Sequence, residues 1–256
     1  LTFYQLQHRL DAGLIPRGFI MHKYDVPASV KERVVRRMGK LLAHDTIEAG
    51  RTALLVIDMQ NYFCAPGFPQ EVPVAREIVP NINRLARVVR EVGGAVVWIV
   101  TTAAGAIEHW PNFQMRMLTP DRQTKRLAGL NEASEGFKLF PELELRPGDT
   151  RIKKIKYSAF MPSSSDIDAQ LKARGIDTVL ITGTMTNVCC ESTARDAMLL
   201  DYKVIMLSDG TAALTDEEHA GALNTFMMFF GDVMSTDETI RRLAPAGGPH
   251  WVPAPR

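Results

Sequence analysis

Cysteine is scarce in this chain: three in 256 residues, Cys64 and the adjacent pair Cys189 and Cys190. Their spacing excludes a disulfide framework, and no second pair exists to build a zinc site. An excess of one charge is also lacking. Thirty Lys and Arg against 29 Asp and Glu leave +1, too little for the electrostatic footprint of a nucleic-acid binder or of a protein held on an anionic membrane. No apolar run approaches the length of a bilayer span, and the first residues lack the basic, apolar and small-residue segments of a signal peptide. What remains is 46% hydrophobic and 23% charged, the balance of a globular protein with a full core. The expectation is a cytoplasmic protein with reduced thiols and a small-molecule partner, with neither nucleic acid nor membrane.

Apolar runs rich in β-formers alternate with amphipathic segments from Thr52 onward, the pattern of a doubly wound, mostly parallel α/β sheet flanked by helices. "TALLVIDM", "AVVWIVT", "TVLITGT" and "KVIMLSDG" read as buried strands and "RIKKIKYSAF" as a polar one. "VAREIVPNINRLARVVREVG", "SSSDIDAQLKARGI", "NVCCESTARDAMLLD", "TDEEHAGALNTFMMFFG" and "STDETIRRL" read as helices, the second capped at its start by serine or aspartate and ended by Gly175. Residues 103–150 are weakly periodic. Residues 51–243 form the expected domain, 1–50 an N-terminal arm and 244–256 a tail. Within the arm, "SVKERVVRRMGKLLAHD" reads as a basic amphipathic helix packed on this subunit or a neighbour.

Sites in such sheets gather beyond the carboxyl ends of the strands, and three residues stand there. Asp58 ends "LLVIDMQ"; a carboxylate in that place is either exposed in a cleft, paired, or simply capping the next turn. Lys154 lies in "KKIKYSAF", where alternation puts it on one face with Lys156, and a solvated edge strand is the plain alternative. Cys189 follows "GTMTN" into the first turn of a helix, where free N–H groups and the helix dipole lower a thiol's pKa and hold an oxyanion. That position favours Cys189 for the cleft and Cys190 for the core, without a chemical difference between them. A base, a cation and a thiol together make an activated nucleophile. No histidine lies in these three segments.

At these residues the chain resembles the isochorismatase-like cysteine hydrolases, through "LLVIDMQNYF", "KKIKYSAF" and "ITGTMTNVCCESTARDAMLLDYKVIMLSDG" in order. The resemblance spans roughly residues 53–243. It implies a catalytic triad of Asp58, Lys154 and Cys189, and a cis peptide between Thr184 and Met185. It also implies an oxyanion hole from the N–H groups of Met185 and Cys189, and separates Cys189 from Cys190 by motif. Isochorismatases typically lack the cysteine, so Cys189 favours an amidase. Nicotinamidases carry an aspartate and closely spaced histidines for a metal; here "TTAAGAIEHWPNFQ" offers only His109, so neither metal nor other cofactor is expected.

"TNVCCESTARDA" is most similar to amidohydrolases of ureido and carbamoyl groups, those acting on ureidoacrylate, N-carbamoylsarcosine and biuret. Gln60, Phe63, Trp110 and Tyr157 are candidate substrate contacts, with Gln60 alternatively bracing the triad, and each is equally open to ordinary packing. Arg116, Arg122 and Lys125 are candidates for a carboxylate. The expected activity is cleavage of a C–N bond through a thioester, in a homo-oligomer. Two alternatives stay open: hydrolysis of an enol ether or nicotinamide-like amide, and a non-catalytic α/β binding protein.

Overall fold

The computed structural model describes residues 21–244. The first part of the expected arm and the tail beyond residue 244 lie outside the described residues. The strands are β1 (Ile47–Glu48), β2 (Thr52–Ile57), β3 (Ala95–Thr101), β4 (Thr150–Lys154), β5 (Thr178–Thr184), β6 (Lys203–Ala212), β7 (Asp232–Met234) and β8 (Leu243–Ala244). Six of them form one sheet in the order β4-β3-β2-β5-β6-β7, and β1 pairs with β8. Every pairing within the six-stranded sheet is parallel.

The order follows from burial on both faces. Every residue of β2 is buried. Leu54 and Val56 point into one apolar cluster with Trp98 and Leu180, while Ala53, Leu55 and Ile57 point into another with Val97, Ile99 and Ile181. A strand that feeds two cores reads as an unbroken apolar run, the mark of a parallel sheet covered by helices. From β2 the chain steps outward to β3 and β4, then returns to place β5 on the other side of β2. The order therefore reverses between β2 and β5, and a crevice opens at their carboxyl ends.

Several helix boundaries differ from the sequence reading. The helix expected from Val74 begins at Val79, after a 3-10 turn over Pro73–Arg76. Pro80 explains it, since a proline lacks the N–H and is accommodated only in a helix's first turn. The basic segment is helical over Ala28–Met38 and stops at Gly39, whose φ of 76° starts a left-handed cap. It packs on its own subunit through buried Val30 and Val34. The helix Ile167–Ala173 has no side-chain cap from Asp166; Ser165 Oγ instead accepts from the Ile167 N–H at 3.3 Å. β4 ends at Lys154, so Lys156 lies past the strand rather than beside Lys154 on it. Three short helices occupy the weakly periodic region, Ala106–His109, Pro111–Arg116 and Pro120–Gly129.

Candidate active site

β2, β3, β4 and β5 each deliver one residue to the crevice. Register sets this: Ile57 pairs with Ile99 and Gly183, and Thr101 with Lys154. Asp58 follows at once in a left-handed conformation, φ 54°, its N–H donating to the Ile99 carbonyl at 2.9 Å. Gly183 permits the close approach of β5, since a Cβ there would lie 2.0 Å from the Ile57 carbonyl oxygen, and its φ of 107° is one that glycine tolerates.

The side chains then converge. Lys154, with no exposed surface, places Nζ 2.9 Å from Asp58 Oδ2 and 3.5 Å from Cys189 Sγ. It donates to Thr101 Oγ1 at 2.7 Å and to the Lys156 carbonyl at 3.1 Å. Thr101 in turn donates to Asp58 Oδ1 at 2.8 Å. The contact at Asp58 Oδ2 is an ion pair off the hydrogen-bond directions, so this oxygen has no directed donor among the described residues.

Electrostatics follow from burial. Desolvation drives the Lys154 pKa down, but the charges of Asp58 and then Cys189 outweigh it and hold the ammonium above its ordinary range. Burial, then the charge of Asp58, push the Cys189 thiol up to about 12, against the lowering fields of Lys154 and Arg126. This corrects the expectation of a depressed thiol. The helix terminus does not dominate, because the sulfur is desolvated and faces a carboxylate; the resting group is a thiol that needs a base.

Cys189 sits in a π-helical turn over Thr186–Cys190 that leads into the helix Glu191–Leu199. The Thr184–Met185 peptide before it is cis. Met185 accepts at its carbonyl from Val188 and Cys190, each at 3.1 Å, while its own N–H makes no hydrogen bond among the described residues. Cys190 is fully buried, its Sγ 3.8 Å from the Thr182 carbonyl. Cys64 lies buried beside Met59, the sulfurs 3.9 Å apart.

The candidate substrate contacts divide. Gln60 is buried and its amide is used on backbone: Nε2 donates to the carbonyls of Thr101 and Phe137 at 3.0 Å each, and Oε1 accepts from Thr101 N–H at 2.7 Å. It is therefore a brace for the end of β3. Phe63 packs edge-on to Tyr62 in the core. Trp110 and Tyr157 meet at 4.7 Å, with Phe113 stacked on Trp110 at 4.1 Å. Tyr157 packs against the buried cluster that contains Cys189, and burial, then the charge of Cys189, raise its pKa. Arg122 and Lys125 line a cavity of about 200 Å³ together with Arg126. Arg116 and His109 are exposed.

Sequence reasoning missed Thr101, Phe113 and Arg126. Thr101 ends an apolar strand, the same signal that marked Asp58. Nothing in "DRQTKRLAG" distinguishes Arg126 from its basic neighbours.

The isochorismatase domain family matches residues 52–238. A ureidoacrylate amidohydrolase RutB of Pseudomonas savastanoi pv. phaseolicola is 33% identical over 241 residues, covering 88% of this chain and 96% of the relative. The solved cysteine hydrolase of Pseudomonas syringae pv. phaseolicola is 30% identical with a TM-score of 0.68, covering 80% of this chain and 98% of its own. N-carbamoylsarcosine amidase of Thermoplasma acidophilum is 25% identical with a TM-score of 0.58, covering 73% and 97%. With its sheet order, its strand-end residues and this match over most of its length, the chain belongs to the isochorismatase family.

Proposed function

We propose that this protein is a cysteine-dependent amidohydrolase that cleaves the C–N bond of a small ureido or carbamoyl compound through a thioester on Cys189. The observation that carries this reading is the buried contact set of Lys154 Nζ, 2.9 Å from Asp58 Oδ2 and 3.5 Å from Cys189 Sγ. Sealing an ammonium, a carboxylate and a thiol from water opposes folding, and a binding module has no need of them.

The chemistry divides among the three. Asp58 takes the thiol proton as the sulfur attacks the carbonyl carbon. The resulting oxyanion faces the N–H groups of Met185 and Cys189. Collapse expels the amine or ammonia, which receives the proton from Asp58 and leaves a thioester. Water then attacks the thioester carbon, passing one proton to Asp58, and this proton returns to the sulfur as the acid departs. Lys154 stays protonated and compensates the negative charge as it moves between carboxylate and sulfur.

The activities for which the relatives are named, on ureidoacrylate and N-carbamoylsarcosine, support the substrate class. Trp110 and Tyr157 wall the pocket in this reading, residues 51–243 form the hydrolase domain, and the protein works as a homo-oligomer. Ammonia release against ureidoacrylate, N-carbamoyl amino acids, biuret, nicotinamide and aliphatic amides tests it, with a chelator present. Turnover confined to ureido or carbamoyl compounds is expected. Turnover of nicotinamide alone, or of none by folded protein, contradicts the proposal.

A further inference from the structure

Two threonines flank Met185, whose N–H the chemistry above sets against the oxyanion, and each is tied down by its hydroxyl. Ahead of it, Thr184 Oγ1 donates to the Ala212 carbonyl at 3.3 Å, at the end of β6. Behind it, Thr186 Oγ1 lies 2.9 Å from Nδ1 of His219, on the helix Asp216–Phe229. Thr184, Thr186 and His219 are all buried, so water does not replace either bond. The direction of the second is fixed. His219 Nε2 lies 3.0 Å from the Ser208 carbonyl, which only accepts, so Nε2 carries the hydrogen and Nδ1 accepts from Thr186. Burial, then the charge of His22, lower the His219 pKa to about 4, which keeps that lone pair free at neutral pH.

The imidazole is itself held by residues from outside the matched domain. His22 stacks on it with ring centroids 4.4 Å apart, and Tyr24 meets it edge-on at 6.0 Å. Both precede residue 52, where the family match begins. His22 is buried, with Nε2 accepting from Ala213 N–H at 3.0 Å and Nδ1 donating to Asp216 Oδ1 at 2.5 Å. Tyr24 donates to Asn224 Oδ1 at 2.9 Å. The segment ahead of the domain thus grips the end of β6 and the helix Asp216–Phe229, the two elements to which the threonines are tied. Thr186 opens the turn that carries Cys189, and a donor displaced by about 1 Å from a developing oxyanion loses much of its effect.

We propose that His219 is a positioning residue: through the Thr186 hydroxyl it fixes the Met185 N–H against the oxyanion, and His22, from ahead of the domain, keeps the imidazole in register. This rests on the thioester reading above and adds to it two groups that act through the backbone turn rather than on the substrate.

The test sets ammonia release beside alkylation of Cys189 by iodoacetamide, a displacement at sulfur that forms no oxyanion. Thr186→Val keeps the shape and removes the hydroxyl. Its kcat and kcat/KM are expected to fall together by about 10- to 100-fold, while the alkylation rate stays close to that of wild type. Thr186→Ser, which keeps the hydroxyl, restores most of the loss. His219→Leu lowers kcat as Thr186→Val does, and the double variant falls no further, because both break one bond. His22→Leu removes the stack and lowers kcat with alkylation again unmoved. An unchanged kcat in Thr186→Val or in His22→Leu overturns the proposal. So do parallel losses of kcat and alkylation, which mean a damaged thiol or fold, and additive losses in the double variant. Where Thr186→Val does not fold, His219→Asn, whose Oδ1 takes the place of Nδ1, is compared with His219→Leu, and an equally low kcat in both overturns it. No ammonia release by wild type from any ureido or carbamoyl compound removes the hydrolase reading and this inference with it; release by wild type that Thr186→Val leaves unchanged removes the inference alone.

Discussion

Thr101 Oγ1 donates a 2.8 Å hydrogen bond to Asp58 Oδ1. The same hydroxyl accepts from Lys154 Nζ at 2.7 Å, so one side chain fixes both charged groups. Thr101→Val keeps the shape and removes the bridge, leaving two buried ionised groups each short of one bond. Hydrogen bonds to charged groups contribute about 1.5–3 kcal/mol, so kcat is expected to fall about 10- to 100-fold. Steady-state ammonia release checks this, and an unchanged kcat contradicts the bridging role.

Gln60 acts one layer behind. Gln60→Leu strands the Thr101 N–H and the carbonyls of Thr101 and Phe137, three backbone groups it now pairs. The expected cost is about 2–3 kcal/mol of stability, with kcat falling and KM moving little, because the residue holds the end of β3 rather than the substrate. Urea unfolding with parallel kinetics measures both. A rise in KM alone would return Gln60 to the substrate contacts.

Gly183 allows no side chain. A Cβ would fall 2.0 Å from the Ile57 carbonyl oxygen at a φ of 107°, and the opposing atom is backbone in the sheet's centre. Gly183→Ala is expected to lose on the order of 4 kcal/mol or to fail to fold. A thermal midpoint matching wild type would sink this.

These contacts explain what was legible in the sequence. The Asp58, Lys154 and Cys189 positions could be read because each ends a strand or follows one, and the sheet's order brings those ends together. Thr101 obeys the same rule, but a threonine at a strand end draws no attention by its chemistry. Lys154 and Lys153 are alike in chemistry within "KKIKYSAF"; the family motif singles out Lys154, and burial on the inner face of β4 separates the two physically. The raised thiol of Cys189 was illegible, since local helix position argues one way and desolvation beside Asp58 the other. β7 escaped because three residues, Asp232–Met234, are too short to show an alternation.

His219 predicts a pH dependence of stability. Its Nε2 lies 3.0 Å from the Ser208 carbonyl, so it carries the hydrogen, and Nδ1 accepts from Thr186 Oγ1 at 2.9 Å. Burial, then the charge of His22, lower its pKa from 6.5 to about 4. Between those values the unfolded chain binds a proton that the folded one refuses, so stability falls as pH drops through 6.5 toward 4 and is level above. From about pH 7.5 to about pH 5 the loss is about 2 kcal/mol. Urea midpoints of wild type and His219→Gln at both values check it: the variant is expected to lose that component of the slope, and identical slopes contradict the assignment.

The thioester is the central claim, and its capture tests it most directly. Wild type mixed with a ureido substrate, quenched in acid within the first turnovers and digested, is expected to carry the acyl mass on the peptide at Cys189. The adduct disappears in Cys189→Ala together with activity, and persists in Cys190→Ala. Ammonia release by Cys189→Ala, or an acyl group on Cys190, would contradict the account.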